Sequence, residues 1–490
     1  MSITNNSFIR VCLIVTAAVV FSGCKQEVPE EGLVPGVPWL LGSTVIKLKP
    51  FGYEKAEYFI QGTAQSYEHT LPRTTDGKWD VEPVDEAQFR TRIVVYRPID
   101  AAKFNGTAVV EWLNVSGGTE ASSQWINTHT ELMRSGYAWV GVSAQKGGID
   151  GEGVTVLPVS LGLKKLNPSR YGSLIHPGDQ FSFDIFSQVA RAIVEPKNFN
   201  PLGDLVLERI IASGQSQSAD HLLTYVNAIE PRENLFDGYF IHSRVHGSAP
   251  LFPEELSREE IDFSARIPVT IRDDLTVPVL NLQTESDTAV LGGYEDRQPD
   301  SDMIRIWEVA GTAHADRYVG NLGLTDKGDD PKVAAVVESR YAIPVVLKCD
   351  KPVNSGPQHF VVKAALAALN NWVETGTAPS AADRFEYDEV NQTLVRDELG
   401  NAIGGIRTPY VDVPIAVLSG EGQDGQILCR TYGTTELFSV ETLNSLYSSH
   451  DAFFNLFSDS VDDAVAKGFL LYPDGELIKS WAASADLGLQ

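Results

Sequence analysis

Ser216 is the residue of this 490-residue chain whose surroundings best suit nucleophilic chemistry. It lies in Gly214-Gln215-Ser216-Gln217-Ser218, between an apolar stretch typical of a strand and a run typical of a helix. A serine on a sharp strand-to-helix turn needs small residues two places before it and two places after it, and Gly214 and Ser218 meet that need. Because Ser218 stands where glycine is usual, the motif alone also fits a serine that only caps a helix.

A serine nucleophile needs a base that takes its proton and an acid that orients the base. His314 follows the strand-like IRIWEV and a turn of small residues, so we expect it to be the base. Two carboxylates, Glu285 and Asp287, follow the strand-like VPVLNLQ. We favour Asp287 as the acid and keep Glu285 as the alternative. The chain order serine, acid, histidine then matches a hydrolase triad.

The reaction also needs hydrogen-bond donors for the oxyanion that forms when the nucleophile attacks. The backbone N–H of Gln217 is the first candidate, because it directly follows the serine. A glycine-rich loop follows the strand-like residues 107–113, and glycines let a backbone turn its amides towards a ligand. We expect Asn114 or Val115 in this loop to be the second donor.

Other aromatic and histidine side chains are candidates for lesser roles. His359 is the alternative base and a candidate pocket residue, because it lies in a polar, turn-rich segment. His176 precedes a helix, so it either caps that helix or contacts substrate. Trp112 belongs either to the pocket or to the core. His242 and His246 have the i, i+4 spacing of a helical metal pair, but they follow a strand-like segment and no third ligand is evident. We therefore expect no metal site and no cofactor.

The elements that must position these residues alternate along the chain. Residues 44–98 contain short β-rich runs, which indicate early antiparallel strands. Strand-like segments then alternate with helix-like segments; the strands are expected at 107–113, 137–143, 208–213, 277–283 and 304–309. Such alternation predicts an α/β fold with a mostly parallel sheet flanked by helices. Later helices are expected at about 364–373 and 453–465.

The N-terminal residues are typical of a bacterial lipoprotein signal peptide, residues 1–23. An uncharged apolar core at 11–21 is too short to span a bilayer, and Phe21-Ser22-Gly23-Cys24 resembles the site at which lipoproteins are cut and acylated. We expect a lipid on Cys24, a Pro-, Gly- and Glu-rich tether at 24–41, and attachment to a membrane of the bacterial cell envelope. Lys25 favours the outer membrane. An ordinary secretory signal with a chance cysteine is the alternative, and it also exports the chain.

Charge and cysteine content restrict the remaining function classes. The formal net charge of -26 argues against nucleic acid as a partner.

Cys12 leaves with the signal and Cys24 carries the lipid, so Cys349 and Cys429 remain in an oxidising compartment. We predict that they form a disulfide, with two buried thiols as the alternative.

Several longer segments together resemble a bacterial α/β-hydrolase-domain family, some of whose members are exported. They are NGTAVVEWLNVSGG, SGYAWVGVSAQKGGIDG, RYGSLIHPGDQFSFDIFSQVARAI, GQSQSA, VAGTAHAD and PVNSGPQHF. The resemblance runs from about residue 96 to 415 and implies an α/β-hydrolase fold with Ser216 and His314 in catalytic roles. We expect a core at 42–375, a lid insertion at about 243–274 and a C-terminal extension, 376–490, packed on the core.

These expectations combine into a serine hydrolase that cleaves a small-molecule carboxylic ester through an acyl-enzyme. One alternative is a surface lipoprotein that keeps the fold but binds a partner or a glycan without catalysis. Another is a lactonase or a peptidase that uses the same triad.

Overall fold

A computed structural model describes residues 32–34, 36, 38, 40–151, 160–252, 266–338 and 349–489. The predicted signal peptide, Cys24 and most of the predicted tether lie outside these residues, and so does the middle of the predicted lid insertion. Within the described ranges, no helix has both the length and the apolar character needed to cross a membrane.

A nine-stranded sheet forms the centre of the molecule, with the spatial order β1-β2-β3-β5-β4-β6-β7-β8-β9. The strands are β1 (Gly32–Leu33), β2 (Tyr53–His69), β3 (Val81–Pro98), β4 (Thr107–Trp112), β5 (Ala138–Val142), β6 (Arg209–Gln215), β7 (Gly238–His242), β8 (Val279–Thr284) and β9 (Ile304–Val309). β1, β2 and β3 are antiparallel to their neighbours, and the strands from β5 to β9 in the spatial order are parallel. The parallel strands are almost wholly buried, because helices cover both of their faces.

The helices differ widely in length, and the longer ones cover the sheet. They are α1 (Ser123–Arg134), α2 (Lys146–Asp150), α3 (Leu163–Leu166), α4 (Pro168–Tyr171), α5 (Ser182–Val194), α6 (Gln217–Thr224), α7 (Glu230–Glu233), α8 (Arg317–Gly320), α9 (Gln358–Thr375), α10 (Pro409–Asp412), α11 (Ile427–Arg430), α12 (Val440–Leu446), α13 (His450–Ala466) and α14 (Tyr472–Ala482). The described 3-10 helices are Lys49–Phe51, Ala101–Lys103, Asp179–Phe181, Gly293–Asp296, Leu322–Leu324 and Pro331–Glu338. Two π-helical turns, Tyr225–Ile229 and Ser286–Val290, complete the set of described helices.

Two large apolar clusters form the core, one on each face of the sheet. The first contains buried side chains of α1, α9, α13 and α14, including Trp125, Leu369, Phe457 and Trp481. The second contains buried side chains of α5 and α6. Burying apolar surface contributes about 25 cal/mol per Å², so both faces of the sheet contribute strongly to stability.

The C-terminal part of the chain, from residue 376 onwards, packs on β9, the last strand of the sheet. Two small antiparallel pairs lie here, Tyr387–Asp388 (β10) with Thr393–Leu394 (β11), and Ala416–Ser419 (β12) with Thr434–Leu437 (β13). Ile406 continues the sheet beyond β9: its N–H donates to the Glu308 carbonyl at 2.6 Å, and its carbonyl accepts from the Ala310 N–H at 3.0 Å. The C-terminal part therefore touches the chain just ahead of His314.

The predicted α/β-hydrolase fold is confirmed by this sheet order and by the helices on both faces. Two local predictions need correction. The short strands expected within residues 44–98 are two long antiparallel strands, β2 and β3, which pair along nearly their whole length. The helix expected at 364–373 begins at Gln358, and so it takes in His359.

Candidate active site

Ser216 occupies the turn between β6 and α6 in a strained backbone conformation. Its φ and ψ are 60° and -128°, a combination that residues other than glycine seldom adopt. The turn is tight, because a Cβ added at Gly214 would lie 2.7 Å from the carbonyl oxygen of Ser218. Gly214 is thus required sterically, whereas the small buried side chain of Ser218 is accommodated. Such a turn presents the serine hydroxyl at the carboxyl edge of the sheet.

His314 follows β9 and forms hydrogen bonds through both ring nitrogens. Its Nε2 lies 2.8 Å from the Ser216 Oγ, and its Nδ1 lies 2.6 Å from an oxygen of Asp287. Because a carboxylate accepts hydrogen bonds, Nδ1 carries the proton in this pair, which leaves Nε2 to accept the hydroxyl proton of Ser216. The His314 side chain is 11% exposed, so its ring lies close to solvent.

Asp287 lies in the π-helical turn Ser286–Val290, directly after β8. Its side chain is fully buried. One carboxylate oxygen bonds His314, and the other accepts the backbone N–H of Thr284 at 2.7 Å. With both oxygens engaged, the carboxylate has a fixed orientation towards the imidazole ring.

Glu285, the alternative acid, has other partners. One of its oxygens accepts the N–H of Gly311 at 2.7 Å, and the other accepts the N–H of Gly420 at 2.9 Å. Arg396 forms an ion pair with the second oxygen at 3.2 Å. Burial raises the pKa of Glu285, although the Arg396 charge and the two N–H groups act in the opposite direction. The structure therefore brings Asp287, and not Glu285, to the His314 ring.

The two expected oxyanion-hole loops lie next to each other, but the backbone N–H of Asn114, one of the expected donors, already has a hydrogen-bond partner. The backbone N–H of Asn114 donates to the Ala121 carbonyl at 3.1 Å, so the expectation that it binds the oxyanion is wrong. The Asn114 side chain instead donates to the Gln215 carbonyl at 3.0 Å and ties its loop to the nucleophile turn. Val115 is half-buried, and its N–H has no hydrogen-bond partner among the described residues. Gln217 is the first residue of α6, so its N–H has no carbonyl partner within the helix.

His242 and His246 do not act together. The carbonyl of His242 accepts the N–H of Ser216 at 3.0 Å. Burial lowers the pKa of the His242 ring to about 3, against an opposing effect of the Asp287 charge, so this ring is neutral. The His246 ring pairs with Asp296 at 3.2 Å. Across the described parts of the chain, no three His, Cys, Asp or Glu side chains are grouped as metal ligands would be.

The three candidate pocket residues belong to the interior. Trp112 and His359 are 0% exposed and His176 is 5% exposed. The His176 ring donates to the Ala144 carbonyl at 2.8 Å, which holds two loops together. The His359 ring stacks on Tyr318 with 3.7 Å between ring centres. The polar neighbours of His359 favour a pocket position, but the residue lies in the first turn of α9 and faces the core.

Residues from the last third of the chain complete the surroundings of His314. Cys349 and Cys429 form a disulfide with 5.4 Å between their Cα atoms. Nearby, the Asn354 side-chain amide donates to the carbonyls of Gly311 and Ser419, at 3.1 Å each. These bonds hold the loop that leads to His314.

Three of these contact residues, Asn354, Arg396 and Gly420, have no role predicted from the sequence. Asn354 lies within PVNSGPQHF, and its place in that segment was the available signal. Arg396 and Gly420 follow Glu285 by 111 and 135 residues. At such separations, no local pattern could have connected them with the acid loop.

A nucleophile turn after β6, an acid after β8 and a histidine after β9, on a mostly parallel sheet of this order, define the α/β-hydrolase class. The particular family follows from the sequence: the chain belongs to the family described as "Alpha/beta hydrolase domain", whose model matches residues 26–480. The resemblance to an α/β-hydrolase-domain family is thereby confirmed. No curated protein matches the chain.

Solved structures with similar folds include several esterases. One of two fungal esterases from Rhizomucor miehei is 11% identical, with 65% of this chain and 85% of that chain covered and a TM-score of 0.31. A glucuronoyl esterase from Solibacter usitatus is 11% identical, with 60% and 87% covered and a TM-score of 0.28. A carboxylesterase from Lactobacillus plantarum is 10% identical, with 48% and 77% covered and a TM-score of 0.25. At these values the fold assignment rests on the family match and the strand order.

Proposed function

We propose that this protein is a serine hydrolase that cleaves carboxylic esters through an acyl-enzyme. Ser216 is the nucleophile, His314 is the base and Asp287 is the acid. The observation that carries the proposal is the pair of hydrogen bonds made by His314, 2.8 Å to the Ser216 hydroxyl and 2.6 Å to the Asp287 carboxylate. Each bond has the direction that its role requires.

In the first half of the reaction, His314 Nε2 takes the proton of Ser216 while Oγ attacks the ester carbonyl carbon. The carbonyl oxygen becomes an oxyanion, which the N–H groups of Gln217 and Val115 stabilise in this proposal. The charged imidazole is stabilised by Asp287. His314 then gives its proton to the leaving alcohol, and an ester between Ser216 and the acyl group remains.

In the second half, water takes the place of the alcohol. His314 removes a proton from the water, which attacks the acyl carbon, and a second oxyanion forms in the same position. The proton then returns from His314 to the Ser216 oxygen, and the carboxylic acid leaves. No cofactor takes part in these steps.

The proposed substrate class is a small-molecule carboxylic ester. A lactone or a peptide would use the same nucleophile, base and acid, so these alternatives are separated by substrate and not by site residues. A lipoprotein that binds a partner or a glycan without catalysis is the remaining alternative.

The test combines a fluorophosphonate probe with a panel of short acyl esters, lactones and peptides. The purified wild-type protein is expected to be labelled once per chain and to hydrolyse the short esters fastest. Ser216→Ala is expected to lose labelling and to lose ester hydrolysis by about 10⁴-fold or more, because the attacking oxygen is gone.

A matched control is Ser439→Ala, which removes an exposed serine at the start of α12. It is expected to label and to turn over esters like the wild type. Full labelling of Ser216→Ala would contradict the nucleophile assignment. If only lactones or only peptides are hydrolysed, that substrate class replaces esters in the proposal. If no compound of the panel is hydrolysed, the non-catalytic binding role is favoured.

We further propose that the protein is exported and attached to the bacterial cell envelope through a lipid on Cys24, with the outer membrane favoured. Support comes from the uncharged apolar residues 11–21 and the Phe21-Ser22-Gly23-Cys24 sequence. The test is radioactive palmitate labelling and membrane fractionation of the wild type and Cys24→Ser. Equal labelling of the two proteins would contradict the lipid anchor.

A further inference from the structure

Glu285 is a fully buried carboxylate that joins three separate segments of the chain. It lies two residues before Asp287, on the loop that carries the acid. It accepts the N–H of Gly311 at 2.7 Å, and Gly311 lies three residues before His314. It also accepts the N–H of Gly420, in the C-terminal part, at 2.9 Å. A single side chain thus connects the acid loop, the base loop and the C-terminal part.

The C-terminal side of this junction is closely fitted. A Cβ added at Gly420 would collide with the backbone nitrogen of Ser286 and would lie 2.5 Å from the Cβ of Glu285. The Ser286 hydroxyl donates to the Gly420 carbonyl at 2.7 Å. Gly420 and the acid loop therefore lie backbone against backbone, with no room for a side chain between them.

Arg396 supplies the positive charge of the junction. Its Nη2 lies 3.2 Å from Glu285 and 2.7 Å from both the Ser419 hydroxyl and the Glu421 carboxylate. A buried carboxylate is costly unless it is paired and hydrogen-bonded, and here both oxygens are satisfied. The ion pair with Arg396 and the two backbone hydrogen bonds therefore hold the Glu285 side chain rigidly at the base of the acid loop.

The distance between Asp287 and His314 depends on how their two loops are placed, because each residue lies on a different loop. The bond between them is short, 2.6 Å. Catalytic groups lose effectiveness steeply with displacement, and a shift of about 1 Å can cost about 100-fold in rate. A side chain that fixes both loops to a common support therefore controls the alignment of acid and base.

We propose that Glu285 is a positioning residue for the reaction: its carboxylate holds the acid loop, the base loop and Gly420 in the one arrangement that aligns Asp287 with His314. This inference rests on the proposed function, since it concerns the rate that the aligned pair produces. It assigns Glu285 a purpose different from that of the triad acid.

The test uses Glu285→Gln, which keeps the shape of the side chain but replaces one accepting oxygen with an N–H₂ group. In one orientation the N–H₂ group faces the N–H of Gly311, and in the other it faces the N–H of Gly420 and Arg396. In either orientation a donor meets a donor, so contact is lost. The matched control is Glu308→Gln on β9. Glu308 is also buried, also pairs with an arginine, Arg297, at 2.6 Å, and also accepts a backbone N–H from the C-terminal part, that of Phe385 at 2.7 Å.

Steady-state kinetics on a short ester, at a temperature where calorimetry shows all variants folded, separates alignment from stability. Glu285→Gln is expected to lower kcat by about 10- to 100-fold, with KM within about twofold of the wild type. Glu308→Gln is expected to lower Tm comparably while kcat stays near the wild-type value. Arg396→Lys, which keeps a positive charge, is expected to retain more activity than Arg396→Met.

A second measurement does not depend on turnover. In the far-downfield proton NMR spectrum, the Nδ1–H of His314 is expected to give a resonance that disappears in Asp287→Asn. In Glu285→Gln this resonance is expected to shift or broaden, and in Glu308→Gln it is expected to stay unchanged.

These experiments distinguish failure of the inference about Glu285 from failure of the proposed function. An unchanged resonance and an unchanged kcat in folded Glu285→Gln would overturn the inference even if the wild type is an esterase. If the wild type hydrolyses no ester, the proposed function fails, and the NMR comparison still decides whether Glu285 sets the geometry of the pair.

Discussion

The imidazole of His314 accepts at Nε2 only while Nδ1 keeps its proton. Asp287 enforces this state, because its carboxylate offers an acceptor and no donor at 2.6 Å from Nδ1. Its second oxygen is held by the N–H of Thr284, so the carboxylate does not rotate away. In the proposed reaction, the reactivity of Ser216 therefore depends on Asp287, a residue that it does not touch.

Asp287→Asn is expected to lower kcat by about 10³- to 10⁴-fold with little change in Tm, because an amide can donate to Nδ1 and so place the histidine proton on Nε2. Kinetics on a short ester and calorimetry measure the two effects. Asp412→Asn is the control, since this half-exposed carboxylate pairs with Arg407 at 2.7 Å away from the triad. Activity of Asp287→Asn near that of the wild type would contradict the role of the acid.

At the scale of elements, the site forms where parallel strands end. β6, β8 and β9 point the same way, so the residues that follow them meet at one edge of the sheet. The short helix α8 then turns the chain away from His314. Asp316 is the N-cap of this helix, with one oxygen accepting the N–H of Val319 at 2.9 Å. Its other oxygen is buried and has no hydrogen-bond partner within the described residues.

Asp316 predicts a specific pH dependence of stability. Burial raises its pKa from 3.8 to about 7, against the opposing backbone hydrogen bonds of α8. The folded protein thus keeps a proton that the unfolded chain releases at lower pH. The contribution of this group is fully present below about pH 4 and is lost as the pH rises through 7, and each pKa unit corresponds to about 1.4 kcal/mol.

Asp316→Asn is neutral at every pH, so its Tm is expected to fall less than that of the wild type between pH 5 and pH 8. Calorimetry over that range measures the difference. Asp100→Asn, at an exposed N-cap that accepts the N–H of Ala102 at 3.0 Å, controls for loss of a capping charge in water. Parallel curves for the wild type and Asp316→Asn would contradict the buried, protonated state.

At the scale of the whole molecule, the C-terminal part is a structural component of the site. The disulfide between Cys349 and Cys429 closes a separation of 80 residues. Beside it, the Asn354 N–H donates to the Tyr432 carbonyl at 2.8 Å, and the Ala315 N–H donates to the Thr431 carbonyl at 3.1 Å. The chain next to the disulfide therefore contacts the residue that follows His314.

Loss of this disulfide in a Cys349→Ser, Cys429→Ser variant is expected to lower the unfolding free energy by about 4 kcal/mol, because the unfolded chain gains freedom. Denaturant unfolding and calorimetry, with and without a reductant, measure the loss. A reductant is expected to destabilise the wild type and to leave the double variant unchanged. Equal stability of both proteins would contradict a stabilising disulfide, and mass spectrometry of unreduced protein checks the pairing itself.

Much of the fold follows from local sequence. Near-continuous apolar segments marked the buried strands β4, β5, β6, β8 and β9, because strands covered on both faces have no polar face. The turn at Ser216 was predictable from Gly214 and Ser218, since small residues there answer a steric demand of the turn itself. His359 was misplaced because its polar neighbours end one residue before it, and the helix that begins at Gln358 carries its ring into the core.

The sequence by itself determined the buried parallel strands and the order serine, carboxylate, histidine, because strand and turn patterns depend on residues close together in the chain. Only the tertiary structure decided which of two nearby carboxylates reaches the base. Asp287 faces His314, while Glu285 is satisfied by Gly311, Gly420 and Arg396. Those partners come from distant parts of the chain, and the direction of a buried side chain is set by the groups that pack around it after folding.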